Sequence, residues 1–192
     1  MTAEEPEGSG EPGELFDLAA YEARARSGPC FVCAAVARRP GYLHEVVYED
    51  ALHIAFLDRW PTLPAKVLVA PKAHLEHVVA DLDRDGFHRL MEVVRLVGRA
   101  VEAVTAPERT YLYSLGSQEG NAHVHWHVAG LPPGVPYAEQ QFHALMAENG
   151  VLRRSPADEQ RLGRRIREAI GEAAAEAVGQ PVGQVVRDRS PG

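Results

Sequence analysis

Residues 121–130 read "NAHVHWHVAG", and this stretch holds three of the nine histidines of the chain, His123, His125 and His127, at alternate positions. In an extended strand, side chains i, i+2 and i+4 project to the same side. The three imidazoles then share one face, and Val124, Trp126 and Val128 share the other. An apolar back with a polar front fits a strand packed on a core whose front meets a cleft or solvent. We read residues 122–128 as that strand. A chance run of histidine on a solvated face is the plainer alternative. Three in register favour chemistry, because histidine is a common metal ligand and general base. A rise of about 3.3 Å per residue separates neighbouring imidazole positions by roughly 6.6 Å and the outer pair by about 13 Å. One ion can take two neighbours but hardly all three, so at least one histidine is left for other work.

The pattern extends outward in both directions. Residues 110–115, "TYLYSL", read as a strand, 116–120 as a polar loop, and "LPPGVP" at 131–136 as a break. Upstream, "EVVYED" (45–50) and "LHIAFLD" (52–58) form a strand pair turned tightly around Glu49, Asp50 and Ala51, and "KVLVAP" (66–71) is a short buried strand. Residues 83–104 place Phe87, Leu90, Val94 and Val101 on one face at helical spacing, which makes the longest helix of the main body. Residues 15–28 have helical composition and stop at Gly28. Two more helices are expected, over 137–150 and 157–179, the second resting an apolar stripe on the domain. This order predicts an α+β fold: an antiparallel sheet of about five strands, a long helix and extra C-terminal helices. The expected organisation is an acidic disordered arm (1–14), a main domain (15–150), a helical extension (151–180) and a flexible tail (181–192).

The chain has 192 residues, 45% of them hydrophobic and 24% charged, which is ordinary for one globular domain with a sizeable core. No apolar run approaches the ~20 residues of a membrane span, and the acidic start lacks the pattern of a signal peptide. A cytoplasmic protein without a membrane partner is therefore expected. The net charge of -7 is local: Glu4, Glu5, Glu7, Glu11 and Glu14 account for -5, leaving 22 acids against 20 bases. A nearly neutral body argues against a nucleic-acid polymer as partner, whereas a small phosphorylated ligand needs only a few local donors. The only cysteines, Cys30 and Cys33 in "PCFVC", read as a metal half-site or a redox pair. A thioredoxin-like pair would follow a strand and open a helix. This one follows a helical stretch.

In order and spacing, "CFVC", "VVYEDALHIAFLDRWPTLPAKVLVAPKAH", the long helix and "HVHWHV" resemble the histidine-triad (HIT) superfamily of nucleotide hydrolases and transferases, in its zinc-bearing bacterial type, over about residues 29–131. The resemblance implies a HIT-like fold, usually homodimeric, whose triad strand opens on a nucleotide pocket. It assigns His125 as the nucleophile, His127 to the phosphate, Asp58 to the ribose hydroxyls, and Cys30, Cys33, His74 and His123 to a structural zinc ion. Cys2His2 is a closed tetrahedral set, so His125 stays free to react. His77 is the substitute should His74 be out of register, and His44, His53, His88 and His143 read as ordinary surface or core histidines.

The implied reaction is attack of neutral His125 on the α-phosphorus of a dinucleoside polyphosphate or nucleoside phosphoramidate, followed by hydrolysis or transfer of the nucleotidyl-imidazole. Ser117, Gln118 and Asn121 either bind the non-bridging oxygens or form an ordinary polar loop. The sequence also departs from the family pattern. Lys66 stands where many relatives carry a further histidine, and can offer phosphate a positive charge but is a poorer acid. The loop "LGSQEGNAH" is about two residues short, Ser114 stands where Asn is common, and Trp60 can stack on a base or simply pack. Two other classes stay open: a metal-activated hydrolase with His123 and His125 as ligands, and an inactive nucleotide-binding module.

Overall fold

Two short runs, both without an exposed position, form the middle of the sheet. β2 (His53–Leu57) and β3 (Val67–Pro71) are buried throughout, because layers cover both of their faces. In this computed structural model, which describes residues 16–117 and 119–178, they are flanked by β1 (Val46–Glu49), β5 (Trp126–Leu131) and β4 (Arg109–Tyr113) in the order β1-β2-β3-β5-β4. Every neighbouring pair is antiparallel, with Ile54 opposite Ala70, Leu68 opposite His127 and Tyr113 opposite His127. The α+β antiparallel fold expected from the sequence is observed.

Alternation along the strands sorts side chains between two layers. Ala55, Leu57, Val67, Val69 and Val128 meet Leu90, Val94, Val97 and Val101 of α3 (Arg84–Thr105) in the larger core. Ile54, Phe56, Leu68 and Ala70 face the other way, onto Val32 and Ala35 of the short α2 (Phe31–Val36). α3 starts where the Asp83 side chain accepts the Gly86 N–H at 2.6 Å, a helix cap that fixes its entry. α5 (Pro156–Val178) lays Ile166, Ala169 and Ile170 into the larger core. Arg167 Nη1 ties it to Glu45 Oε1 and to the Val46 carbonyl, each at 2.6 Å. This is the stripe-on-core role read from its amphipathic pattern. No described helix is long and apolar enough to cross a membrane.

Two elements differ from the sequence reading. Strand pairing on the triad side begins at Trp126, so His123 and His125 precede the ladder rather than lying in a strand over 122–128. The cause is a tertiary contact: the Val124 N–H donates to the Leu75 carbonyl at 2.6 Å, and β3 pairs with β5 only at Val67, Leu68 and Val69. The alternation survives nonetheless, with Val124, Trp126 and Val128 all on the α3 side. The helix expected over 137–150 is broken into 3-10 turns at Tyr137–Glu139 and Ala147–Asn149 around α4 (Phe142–Leu145). Gln141 takes a left-handed φ of 54°, which interrupts the helix, while Ala144 and Leu145 pack against Leu63, Ala129 and Leu131. The first helix, α1 (Leu18–Ser27), opens with Asp17 capping the Ala20 N–H. The acidic arm (1–14), the tail (181–192) and Gln118 lie outside the described residues.

Candidate functional site

Four side chains from three parts of the chain converge beside α2. Cys30 caps that helix, its Sγ accepting the Cys33 N–H at 3.4 Å, so the CxxC opens a helix, but one that follows α1 and not a strand. His74 lies just beyond β3, and His123 just ahead of β5. Their ligand atoms, with the two sulfurs, all fall within 4.8 Å of one another. Cys30 Sγ is 3.4 Å from His123 Nδ1, Cys33 Sγ is 3.4 Å from His74 Nδ1 and 3.5 Å from His123 Nδ1, and the two Nδ1 atoms are 3.2 Å apart. A tetrahedral ion bound at about 2.3 Å to sulfur and 2.0–2.1 Å to nitrogen has S–N edges of about 3.5–3.6 Å and N–N edges of about 3.3 Å. The cluster therefore has the dimensions of a tetrahedral Cys2His2 site.

The far ring nitrogens point the lone pairs inward. His123 Nε2 donates to the Pro71 carbonyl at 2.9 Å, and His74 Nε2 meets Glu76 Oε1 at 3.1 Å. A carbonyl only accepts, so the His123 proton sits on Nε2 and the Nδ1 lone pair faces the cluster. Burial keeps the His123 ring neutral, its pKa lowered to about 4, while burial and the neighbouring Cys30 push the Cys33 thiol up to about 11. His77 is exposed and joins the Asp81 carboxylate through its backbone N–H, outside the group of four.

Two residues on, His125 is also outside that group. Its Nδ1 donates to the His123 carbonyl at 2.7 Å, and Ser114 Oγ donates to the His125 carbonyl at 2.8 Å, so ring and backbone are both held. Burial lowers its pKa, leaving a neutral ring with an unprotonated Nε2. The Phe31 ring stands edge-on at 5.1 Å and His127 at 5.0 Å. His127 stacks on Tyr113 at 4.5 Å and 7°, and its Nδ1 is buried without a hydrogen-bond partner among the described residues. Burial, together with Lys66, lowers its pKa to about 3. Lys66 Nζ lies 3.0 Å from Asp58 Oδ2, while Asp58 Oδ1 accepts the Trp60 N–H at 3.0 Å. Burial opposes both charges, but the pairing prevails: the carboxylate is held below its ordinary range and the ammonium above its own.

A cleft of about 350 Å³, within the range of small-ligand sites, joins His125, His127, Asp58, Lys66 and Asn121. Asn121 Nδ2 donates to the Tyr21 hydroxyl of α1. Ser117 is exposed and does not line the cleft; its N–H meets the Asn121 carbonyl at 3.3 Å. Trp60 is packed, with Tyr21 edge-on at 5.5 Å and the guanidiniums of Arg24 and Arg59 at 5.5 and 5.6 Å from its ring.

Several walls of this cleft escaped the sequence reading. His44, read there as ordinary, lines it and lies 4.5 Å from the Phe56 ring. α1 contributes Tyr21, Arg24 and Ala25, and the turn after α4 contributes Met146, Ala147 and Glu148. None of these carries a local signal, because only the tertiary fold brings them to the triad.

The model of the HIT domain family matches residues 42–133. An uncharacterised HIT-like protein of Saccharolobus solfataricus is 32% identical over 103 residues, covering 52% of this chain and 71% of that protein. The chain belongs to the HIT domain family. Its fold is shared with a hypothetical histidine triad nucleotide-binding protein from Sulfolobus tokodaii (26% identity, TM-score 0.60, covering 74% of this chain and 93% of that one). It is shared as well with a Zn-bound histidine triad family protein from Mycobacterium smegmatis (22% identity, TM-score 0.59, 77% and 96% covered). In this HIT protein the matched stretch carries both β strands of the triad side and His123, His125 and His127, while α1, both cysteines and α5 lie outside it.

Proposed function

We propose that this HIT protein is a nucleotide hydrolase or nucleotidyl transferase that acts at an α-phosphorus through a covalent nucleotidyl-His125 intermediate. The observation that carries the reading is the 2.7 Å bond from His125 Nδ1 to the His123 carbonyl, which leaves Nε2 as a fixed, neutral nucleophile at the cleft. As its lone pair forms the N–P bond, the bond from phosphorus to the leaving group breaks and the leaving group takes that electron pair. The His123 carbonyl then faces an imidazolium and stabilises it. Water attacks phosphorus next, the N–P pair returns to Nε2, and a proton passes to solvent. His127, neutral, offers its N–H to a non-bridging oxygen, and Lys66 supplies positive charge. Asp58 and Asn121 are the candidate ribose and phosphate contacts on the same cleft.

Zinc is the proposed ion of the Cys30, Cys33, His74 and His123 cluster, on the chemistry of two thiolates and two imidazoles in a tetrahedral set. Four protein ligands leave no open position, so its contribution is structural. The metal-activated alternative requires His125 as a ligand, whereas His125 stands outside the group of four. Because Asp58 raises the proton affinity of Lys66, the ammonium is a poor acid. That suits a leaving group stable as an anion, a phosphate chain, better than an amine that needs a proton. A cytoplasmic homodimer completes the reading, with β4 at the sheet edge available to a second copy.

His125→Ala removes the nucleophile, so turnover of dinucleoside polyphosphates falls by several orders of magnitude, while metal content and melting point stay near wild type. Quenching the wild-type enzyme during turnover without acid yields a His125 peptide carrying one nucleoside monophosphate on an acid-labile P–N bond. Loss of zinc in His125→Ala, with no adduct on the wild type, overturns the covalent mechanism.

A further inference from the structure

Two chemically different sets of side chains line the cleft. One is His125, His127, Lys66 and Asp58, where the proposed function seats a phosphate and its ribose. The other is Tyr42 and His44 together with Arg24 and Arg59. The guanidiniums converge there: Arg24 Nη2 and Arg59 Nη1 donate to the same Gly41 carbonyl, at 3.0 and 2.6 Å. Arg24 also lies 4.8 Å from the centre of the Tyr42 ring.

Each guanidinium has five N–H donors, and neither arginine has a described carboxylate within ion-pairing distance. Two adjacent like charges that share one neutral acceptor keep further N–H donors for a ligand, on two residues that line the cleft. Burial keeps His44 neutral, and both arginines reinforce this, so no further cation accumulates. An occupant must then offer acceptors to the arginines and a flat face to the aromatic rings. A free phosphate supplies the acceptors but leaves the rings without a partner. A nucleobase with a carbonyl and an adjacent ring nitrogen on one edge supplies both, as in the planar pairing of Arg with guanine O6 and N7. Adenine instead sets an amino donor against the guanidiniums.

We propose that Arg24 and Arg59 form a base-reading edge that selects 6-oxopurine nucleotides, guanine or hypoxanthine, over adenine. This rests on the proposed nucleotide reading and narrows its substrate class. Arg59 follows β2 at the surface, and Arg24 sits on α1, outside the matched family stretch, so both can be replaced without opening the core.

Titration calorimetry of the full zinc-loaded chain with GMP, IMP and AMP tests it. GMP and IMP bind more tightly than AMP by about tenfold to a hundredfold, the discrimination of one good bidentate contact. Arg59→Ala and Arg24→Ala each bring the ratio towards one by weakening GMP, with AMP changed less than about twofold. Arg59→Lys, which keeps charge but loses the planar fork, also loses most of the preference. Circular dichroism and zinc content of each variant confirm folding. AMP binding as tightly as GMP, or a preference that survives both alanine variants, overturns the proposal while leaving nucleotide hydrolysis standing. Equal GMP and AMP affinities with displacement by inorganic phosphate make the pair an anion site and overturn it too. No binding of any nucleotide by folded, zinc-loaded protein overturns the nucleotide reading itself.

Discussion

Replacing Lys66 with Met tests how the cleft carries charge. The ammonium and the Asp58 carboxylate lie 3.0 Å apart with side chains only 7% and 11% exposed, so truncating one partner strands a buried charge. Such losses cost about 3–5 kcal/mol. At roughly 2–4 °C per kcal/mol for a chain of this size, the melting point falls by about 6–20 °C at pH 7. The pH dependence has a definite sign. In the wild type the lowered Asp58 pKa gives stability that is present above the unfolded carboxyl value near 3.9 and lost as pH falls through the folded value. The raised Lys66 pKa gives stability that is present below about 10.4 and lost as pH rises through its own folded value. Between these limits the pair contributes constantly. In Lys66→Met, burial dominates and raises the Asp58 pKa, so acidification protonates the stranded group and narrows the deficit between pH 7 and pH 5. Asp58→Asn combined with Lys66→Met recovers part of the loss, since no net charge is then buried. Thermal melts followed by circular dichroism at both pH values measure all three. A melting point within about 2 °C of wild type at pH 7, or a deficit that widens on acidification, refutes the reasoning.

Cys33→Ser removes one of four converging ligands and lowers metal content and melting point together, read by metal analysis and calorimetry; full zinc with an unchanged melting point rules out the tetrad. Gly120→Ala puts a Cβ 2.4 Å from the Ala25 carbonyl oxygen, which forces α1 away from the loop before the triad. Nucleotide binding by calorimetry weakens several-fold while zinc content is unchanged, and unaltered binding would show that α1 does not shape the cleft. Deleting residues 1–14, which have little apolar surface to bury, leaves activity and melting point nearly intact, and a large loss of either shows that the arm docks on the body.

The sheet and the histidine triad in the cleft were legible because their signals are local. Alternation gives the faces of the triad, short apolar runs give β2 and β3, helical spacing gives α3, and the CxxC gives a metal half-site whose two histidine partners come from the family resemblance. Boundaries failed where tertiary hydrogen bonds decide, as at Val124, whose N–H goes to Leu75 instead of a strand partner. The broken helix over 137–150 turns on one backbone angle at Gln141, a residue type with no special liking for positive φ. The arginine-lined part of the cleft was invisible for a different reason. Arg24, His44 and Arg59 are each 15 or more residues from the next, and nothing in their spacing announces the carbonyl that the two arginines share.

His123 belongs to both halves of the site at once. Its ring takes part in the ligand cluster, its Nε2 is anchored to Pro71, and its own carbonyl receives the His125 proton. The nitrogen proposed to react is thus referenced to the cluster through the covalent bonds of one residue, whose ring is held at both nitrogens, and a single 2.7 Å contact. The two centres behave as parts clamped to one bracket: slackening at the cluster reaches His125 as a misaimed lone pair and an unsettled tautomer. The rate of the proposed reaction is then an earlier gauge of damage at the cluster than the melting of the fold.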